Sequence, residues 1–283
     1  MENLLLAFLL TLFAGLSTGF GSIFAFFTKK TDLQFLATAL SFSAGVMIFI
    51  SFVELFEEAR EELTAYFAGD TGFTVAVAAF FAGVFLIMIV DMLVPERDNP
   101  HHALDQEEIE SAREKQEVSD SSDIESLRAE DQQELERVGL MSAAAIAIHN
   151  FPEGLVTFVA TLADPALGIT IAIAIALHNI PEGIAVAIPI FYSTGSRLKA
   201  VLYSFAAGTA EPAGALLGYF VFREFFDELT FGIIFAFVAG IMVFISIDEL
   251  LPTANEYGGE GHQEIYAFIG GMAIMAVTLI FVG

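Results

Sequence analysis

His149-Asn150-Phe151-Pro152-Glu153-Gly154 is repeated 29 residues later as His178-Asn179-Ile180-Pro181-Glu182-Gly183, with only the third residue changed. Each copy lies inside an apolar run. His and Glu are four residues apart in both, so on a helix they share one face. The proline between them removes a backbone N–H and crowds the carbonyl four residues back, that of Ile148 in one copy and Leu177 in the other. Each copy therefore presents an imidazole, an amide, a carboxylate and a loosened carbonyl at one level of a helix.

The runs around these motifs decide the fold class. Of 283 residues, 56% are hydrophobic, and the mean hydropathy is +0.70. Uncharged stretches of about 20 residues recur, the length that crosses a hydrocarbon core of roughly 30 Å. The pattern predicts an all-α integral membrane protein with eight transmembrane helices, at roughly 4–27, 34–57, 73–94, 138–162, 166–191, 197–222, 229–251 and 263–282. One membrane domain is expected, made of spans 1–3 (1–94) and spans 4–8 (138–283). Between them lies an acidic segment, 95–137, read as a disordered or transiently helical loop. Met1-Glu2-Asn3 lacks the basic leader of a cleaved signal, so the first run is expected to be kept as a span.

The formal charge of −25 sits outside the spans, with fifteen acids against five bases between Pro95 and Val138. So acidic a chain excludes nucleic acid as a partner. With no cysteine, disulfides and thiolate ligands are excluded as well. Nine of the eleven basic residues fall in the loops after spans one, three and five, while Arg60 and Arg223 fall on the other side. The positive-inside rule then places both termini outside and the acidic loop in the cytoplasm.

A second repeat supports inverted halves. Phe42-Ser-Ala-Gly-Val-Met-Ile-Phe-Ile-Ser-Phe-Val-Glu-Leu55 matches Phe237-Val-Ala-Gly-Ile-Met-Val-Phe-Ile-Ser-Ile-Asp-Glu-Leu250 at an offset of 195, on spans two and seven. These spans run in opposite directions, as do spans four and five. Inverted repeats are the pattern of secondary transporters, whose sites lie at the repeat interface near the midplane. Gly15-Leu-Ser-Thr-Gly19 and Gly214-Ala-Leu-Leu-Gly218 mark helix faces that approach neighbours closely.

His149, His178 and Glu211 fall about 11 to 14 residues into their spans, or roughly 16 to 21 Å deep at 1.5 Å per residue. Ionisable groups there cost about 2.5 to 3.5 kcal/mol each on insertion scales, so they imply a function. The candidate site comprises His149, Asn150, Glu153, His178, Asn179, Glu182 and Glu211, the last followed by Pro212. Three carboxylates together require a cation or protons. Two imidazoles with carboxylate and amide oxygens suit Zn²⁺, Fe²⁺, Mn²⁺ or another first-row ion, and two ions could be held close together. They suit Cu⁺ poorly and favour neither Mg²⁺ nor Ca²⁺.

At these residues the chain resembles the ZIP (Zrt-, Irt-like protein) family of divalent metal transporters, most closely its bacterial zinc-uptake branch. The resemblance covers all eight spans and rests on the motifs at 149–154, 178–183 and 211–212. It implies inverted repeats of spans 1–3 and 6–8 around spans 4 and 5, with metal moving into the cytoplasm. Carried over by position, it makes His149, Asn150, Glu153, Asn179, Glu182 and Glu211 a binuclear metal centre, with His178 in the corresponding fifth-span position. The loop lacks the long His-rich tract of many eukaryotic members, and Pro100-His101-His102 is its only metal-like feature.

Glu54, near the outer end of span two, is then expected at the entrance. Asp91, Asp248 and Glu249 are expected at the inner exit. Zinc, with Fe²⁺, Mn²⁺, Co²⁺ and Cd²⁺ as further candidates, is the transported substrate, and no cofactor is expected. The lipid bilayer of the cell membrane is the setting, and a homodimer is left open. A selective divalent cation channel is the first rival. An intramembrane zinc hydrolase is the second, although its usual His-Glu-x-x-His differs from the His-x-x-x-Glu found here. No Walker-type phosphate loop is present.

Overall fold

The computed structural model describes residues 3–25, 33–67, 70–93, 129–222, 227–258 and 262–282, and every element among them is helical. In chain order these are α1 (Leu4–Ala25), α2 (Leu33–Ile50), α3 (Phe56–Tyr66), α4 (Thr71–Leu93), α5 (Ala129–Ala163), α6 (Pro165–Thr194), α7 (Arg197–Gly208), α8 (Ala210–Phe222), α9 (Glu228–Ile245), α10 (Leu251–Tyr257) and α11 (Gln263–Val282). A π-helical turn at Ser51–Leu55 joins α2 to α3, and another at Ser246–Leu250 joins α9 to α10. Among the described residues seven stretches are long and apolar enough to cross a membrane. The remaining expected span, the sixth at 197–222, is there in two pieces. It breaks at Thr209 between α7 and α8, because Pro212 has no N–H to return to the Gly208 carbonyl.

Local chemistry fixes the turns. Asp164 caps α6 by accepting from the Ala166 N–H at 2.8 Å, with Pro165 in the first turn, so α5 and α6 form a hairpin with one intervening residue. Gly195 ends α6 at φ 63°, and Ser196 then caps α7 through the Lys199 N–H. Asp227 caps α9 the same way through Thr230.

Two boundaries differ from expectation. Helix α5 begins at Ala129, inside the stretch assigned to the acidic loop, where Glu, Gln and Leu are good helix formers. Spans two and seven also continue past their expected ends through the π turns, to Tyr66 and Tyr257. Residues 94–128, with His101 and His102, lie outside the described residues.

The helices pack in two groups. α1, α5, α6 and the broken α7–α8 contact one another, whereas α2 pairs with α11, α4 pairs with α9, and α3 packs on α4 and α9. The groups meet where α2 faces α6 and α9 faces α5. On the outer flanks Phe81, Phe85 and Ile89 of α4, with Ile269, Val277 and Phe281 of α11, are exposed. That surface suits hydrocarbon, since the helices satisfy their own backbone groups.

The inverted repeat is visible in the packing. A Cβ on Gly45 would collide with the Phe268 carbonyl, and one on Gly240 with the Phe80 carbonyl. Gly271 meets Phe42 in the same way, and Gly83 meets Phe237. These four contacts use the 195-residue offset for α2 and α9 and an offset of 188 for α4 and α11. Both π turns obey it too: Ser51 donates to the Met47 carbonyl at 2.7 Å and Ser246 to the Met242 carbonyl at 2.8 Å. Gly271→Ala is therefore expected to lower the melting temperature in detergent, since backbone must shift to admit one methyl, at a cost of about 1 to 3 kcal/mol. Gly270→Ala, whose Cβ meets nothing within 4 Å, is expected to melt with the wild type in the same thermal assay.

Candidate metal centre

The two six-residue motifs sit side by side on α5 and α6, and neither proline breaks its helix. Their glycines bring the neighbours in. A Cβ on Gly154 would strike the Glu211 backbone of α8, and one on Gly183 the Thr18 carbonyl of α1. The two Gly-x-x-x-Gly faces seen in the sequence serve the same packing. Gly15 and Gly208 each abut the other's carbonyl, and Gly214 abuts that of Phe151. Only hydrogen side chains allow backbones this close.

All seven residues singled out in the sequence are brought together and buried. His149 is 2% exposed, Glu153 and Glu182 are 1% exposed, and Asn150, His178, Asn179 and Glu211 have no exposed surface. The motifs pair crosswise. His149 Nε2 lies 3.3 Å from Glu182 Oε2, and His178 Nε2 lies 3.2 Å from Glu153 Oε1. Asn179 Nδ2 donates to the Ala14 carbonyl at 2.9 Å and also to Glu211 Oε1. The His178 carbonyl accepts from Ser43 Oγ of α2, across the interface of the two helix groups.

Neither His–Glu contact has hydrogen-bond geometry. His149 Nε2, both ring nitrogens of His178 and all four carboxylate oxygens of Glu153 and Glu182 lack a hydrogen-bond partner, as does the whole Asn150 amide. Buried orphans of this kind are costly and call for a ligand. The spacing is compatible with a divalent ion. Two ligand atoms about 2.0 to 2.1 Å from a tetrahedral Zn²⁺ stand about 3.3 Å apart, the length of one tetrahedral edge. Each His–Glu pair thus already holds that edge. Among the described residues no group of three or more His, Asp or Glu is arranged to hold a metal ion; each pair offers two donor groups, and the Asn150 amide and the Glu211 carboxylate are further buried donors in the same set.

The residues expected at the exit are partly re-placed. Glu249, on the second π turn, is not confined to the inner end of its span: its Oε2 lies 3.8 Å from His149 Nδ1. His149 Nε2 faces Glu182. A carboxylate on the far nitrogen is the arrangement that orients imidazoles where they do ligate metal. Asp248 and Asp91 lie within electrostatic reach of Glu249, forming one acidic cluster from α4 and the π turn. Glu54 holds the equivalent place on the first π turn and is half-buried. Sequence reasoning missed the π turns, which carry no residue signature of their own.

A profile of the family described as ZIP Zinc transporter matches residues 2–279. The chain is 54% identical over 278 residues to "Zinc transporter ZupT" of Nitratidesulfovibrio vulgaris, covering 98% of this chain and 97% of the other. It is 51% identical over 280 residues to the protein of the same name from Clostridium perfringens, covering 99% and 97%. The like-named protein of Oceanobacillus iheyensis is 51% identical over 280 residues, covering 99% of each.

Glu153→Gln and Glu182→Gln are each expected to weaken Zn²⁺ binding by purified protein at least about tenfold, given the loss reported for changes even behind the ligands. Competition with a chelating dye measures it. Glu264→Gln, on α11 away from the motifs, is expected to bind like the wild type.

Proposed function

Because the chain belongs to the ZIP zinc transporter family, we propose that it takes up zinc through the crossed His149–Glu182 and His178–Glu153 centre. It is a multi-pass membrane protein and a transporter, not an enzyme. One observation carries the assignment of the site: two buried His–Glu pairs, without hydrogen bonds, spaced as ligands of a tetrahedral ion. His149, Asn150, Glu153, His178, Asn179, Glu182 and Glu211 hold two divalent ions between α5, α6 and α8. Imidazole and oxygen donors also accept Fe²⁺, Mn²⁺, Co²⁺ and Cd²⁺.

The path follows from the orientation of the spans. With both termini outside the cell membrane, Glu54 stands at the entrance and Asp91, Asp248 and Glu249 at the exit. Glu249 takes the ion from the His149 side of the centre. Alternating access moves the group containing α1, α5, α6 and α7–α8 against the group containing α2, α4, α9 and α11. The seven site residues all lie in the first group, and the two groups meet across an apolar seam that includes Val156 and Ile175 on one side and Met47 and Ile241 on the other, with Ser43 to His178 and Glu249 to His149 as polar contacts across it. Pro152 and Pro181 loosen the helices where ligands must adjust. All seven ligands come from one chain, so each protomer of a homodimer would carry a complete centre.

Purified protein in liposomes with an internal Zn²⁺ dye tests this proposal. Wild-type protein is expected to give saturable, temperature-sensitive zinc entry, and Glu153→Ala with Glu182→Ala together to reduce it to the protein-free leak. Flux that stays linear with concentration indicates the channel reading instead. In the same assay Asp248→Ala and Glu249→Ala are expected to slow turnover while Zn²⁺ binding at equilibrium is retained. Unchanged flux in both removes them from the path.

A further inference from the structure

The inverted repeat that relates α2 to α9 extends to α1 and α7–α8, at an offset of 193. Ala14 corresponds to Ala207, Gly15 to Gly208, Gly21 to Gly214 and Thr18 to Glu211. Packing obeys this register closely. A Cβ on Gly15 would meet Glu211 Cβ at 3.3 Å, and one on Gly208 would meet Thr18 Cβ at 3.2 Å. Gly154 of α5 packs on the Glu211 backbone as Gly183 of α6 packs on that of Thr18. Gly214 meets the Phe151 carbonyl as Gly21 meets that of Ile180, and these two residues hold the same place in their motifs. Thr18 is thus the repeat mate of a site carboxylate.

The state of its hydroxyl is unusual. Thr11, Thr157, Thr161 and Thr170 all return their hydroxyls to the carbonyl four residues earlier. Thr18 is fully buried, yet its Oγ1 has no hydrogen-bond partner. The carbonyl it would ordinarily use is that of Ala14. Ser17 Oγ at 2.6 Å and Asn179 Nδ2 at 2.9 Å already donate to that oxygen, which has only two lone pairs. The network that anchors Asn179 therefore sets the Thr18 hydroxyl free.

On the opposite half, Asn179 reaches Glu211. By the two repeats, Asn150 and Thr18 are the counterparts of Asn179 and Glu211, and both Asn150 amide atoms, like the Thr18 hydroxyl, are buried without a hydrogen-bond partner. We infer that Thr18 belongs to the ion site, supplying a neutral oxygen on the Asn150 side where Glu211 supplies a charged one on the Asn179 side, and that this asymmetry sets selectivity among divalent ions. The inference rests on the centre described under Proposed function. With glutamate at position 18, four carboxylates would fully neutralise two divalent ions and hold them. With threonine, three carboxylates leave the ion on the Asn150 side less tightly bound and its hard hydroxyl ligand favours Zn²⁺ over the softer Cd²⁺.

Thr18→Val keeps the shape and removes the oxygen, while Thr18→Ser keeps the oxygen and removes the methyl. In proteoliposomes Thr18→Val is expected to raise KM for Zn²⁺ on the order of tenfold, one lost charge-assisted contact, and to lower the Zn²⁺:Cd²⁺ flux ratio. Thr18→Ser is expected to match the wild type in both. Thr18→Val with wild-type KM and ratio overturns the inference, and so does equal impairment of both variants, which would make Thr18 a packing residue. Glu211→Gln separates the two levels: if it loses flux while Thr18→Val is silent, the centre stands and only this inference fails. If Glu211→Gln transports normally, the centre and this inference fail together.

Discussion

Imidazoles and carboxylates placed together at the middle of a hydrocarbon layer must be compensated, and the crossed pairing of two helices does that here. His149 faces Glu182 and His178 faces Glu153, each across the α5–α6 boundary. Neither motif is complete on its own helix, so the site exists only when the hairpin closes at Asp164-Pro165. The residual orphan lone pairs are a cost that a bound cation would relieve. Under the proposed function, a site satisfied only when loaded would suit a substrate that must leave again.

Glycine makes this arrangement reachable. Side chains as large as His and Glu meet at one level because the backbones around them nearly touch. Gly154 lies on Glu211, Gly183 on Thr18, and Gly15 and Gly208 on each other. In a bilayer no hydrophobic force pulls helices together, so dispersion at such close crossings carries much of the association. The second helix group uses the same device four times, in Phe-x-x-Gly contacts related by the inverted repeat. Close glycine crossings thus build both the group that carries the buried His–Glu pairs and the group packed against it.

Much of this was legible in the sequence, for physical reasons that differ from residue to residue. His149, Glu153, His178 and Glu182 announced themselves because buried charge is expensive and i, i+4 spacing sets one face. All eight spans were expected from length and apolarity, but the break of the sixth at Thr209 was not, since Pro212 was noted only as the neighbour of Glu211. Only one Phe-x-x-Gly pair, on spans two and seven, was recognised. The pair at Phe80 and Phe268 was masked by the Phe- and Ala-rich background. The place of Glu249 against His149 depends on how α9 lies across α5, which no local pattern encodes. The free hydroxyl of Thr18 likewise depends on another helix, because Asn179 shares the Ala14 carbonyl with Ser17.

The most direct test of the crossed centre is to locate the ion. Crystals of the purified protein grown with Zn²⁺, with data collected at the zinc absorption edge, are predicted to show anomalous density between α5 and α6, bonded to His149 Nε2 and Glu182 on one side and His178 Nε2 and Glu153 on the other. Zinc density confined to the acidic cluster at Asp91, Asp248 and Glu249, with none at the crossed pairs, would contradict the account.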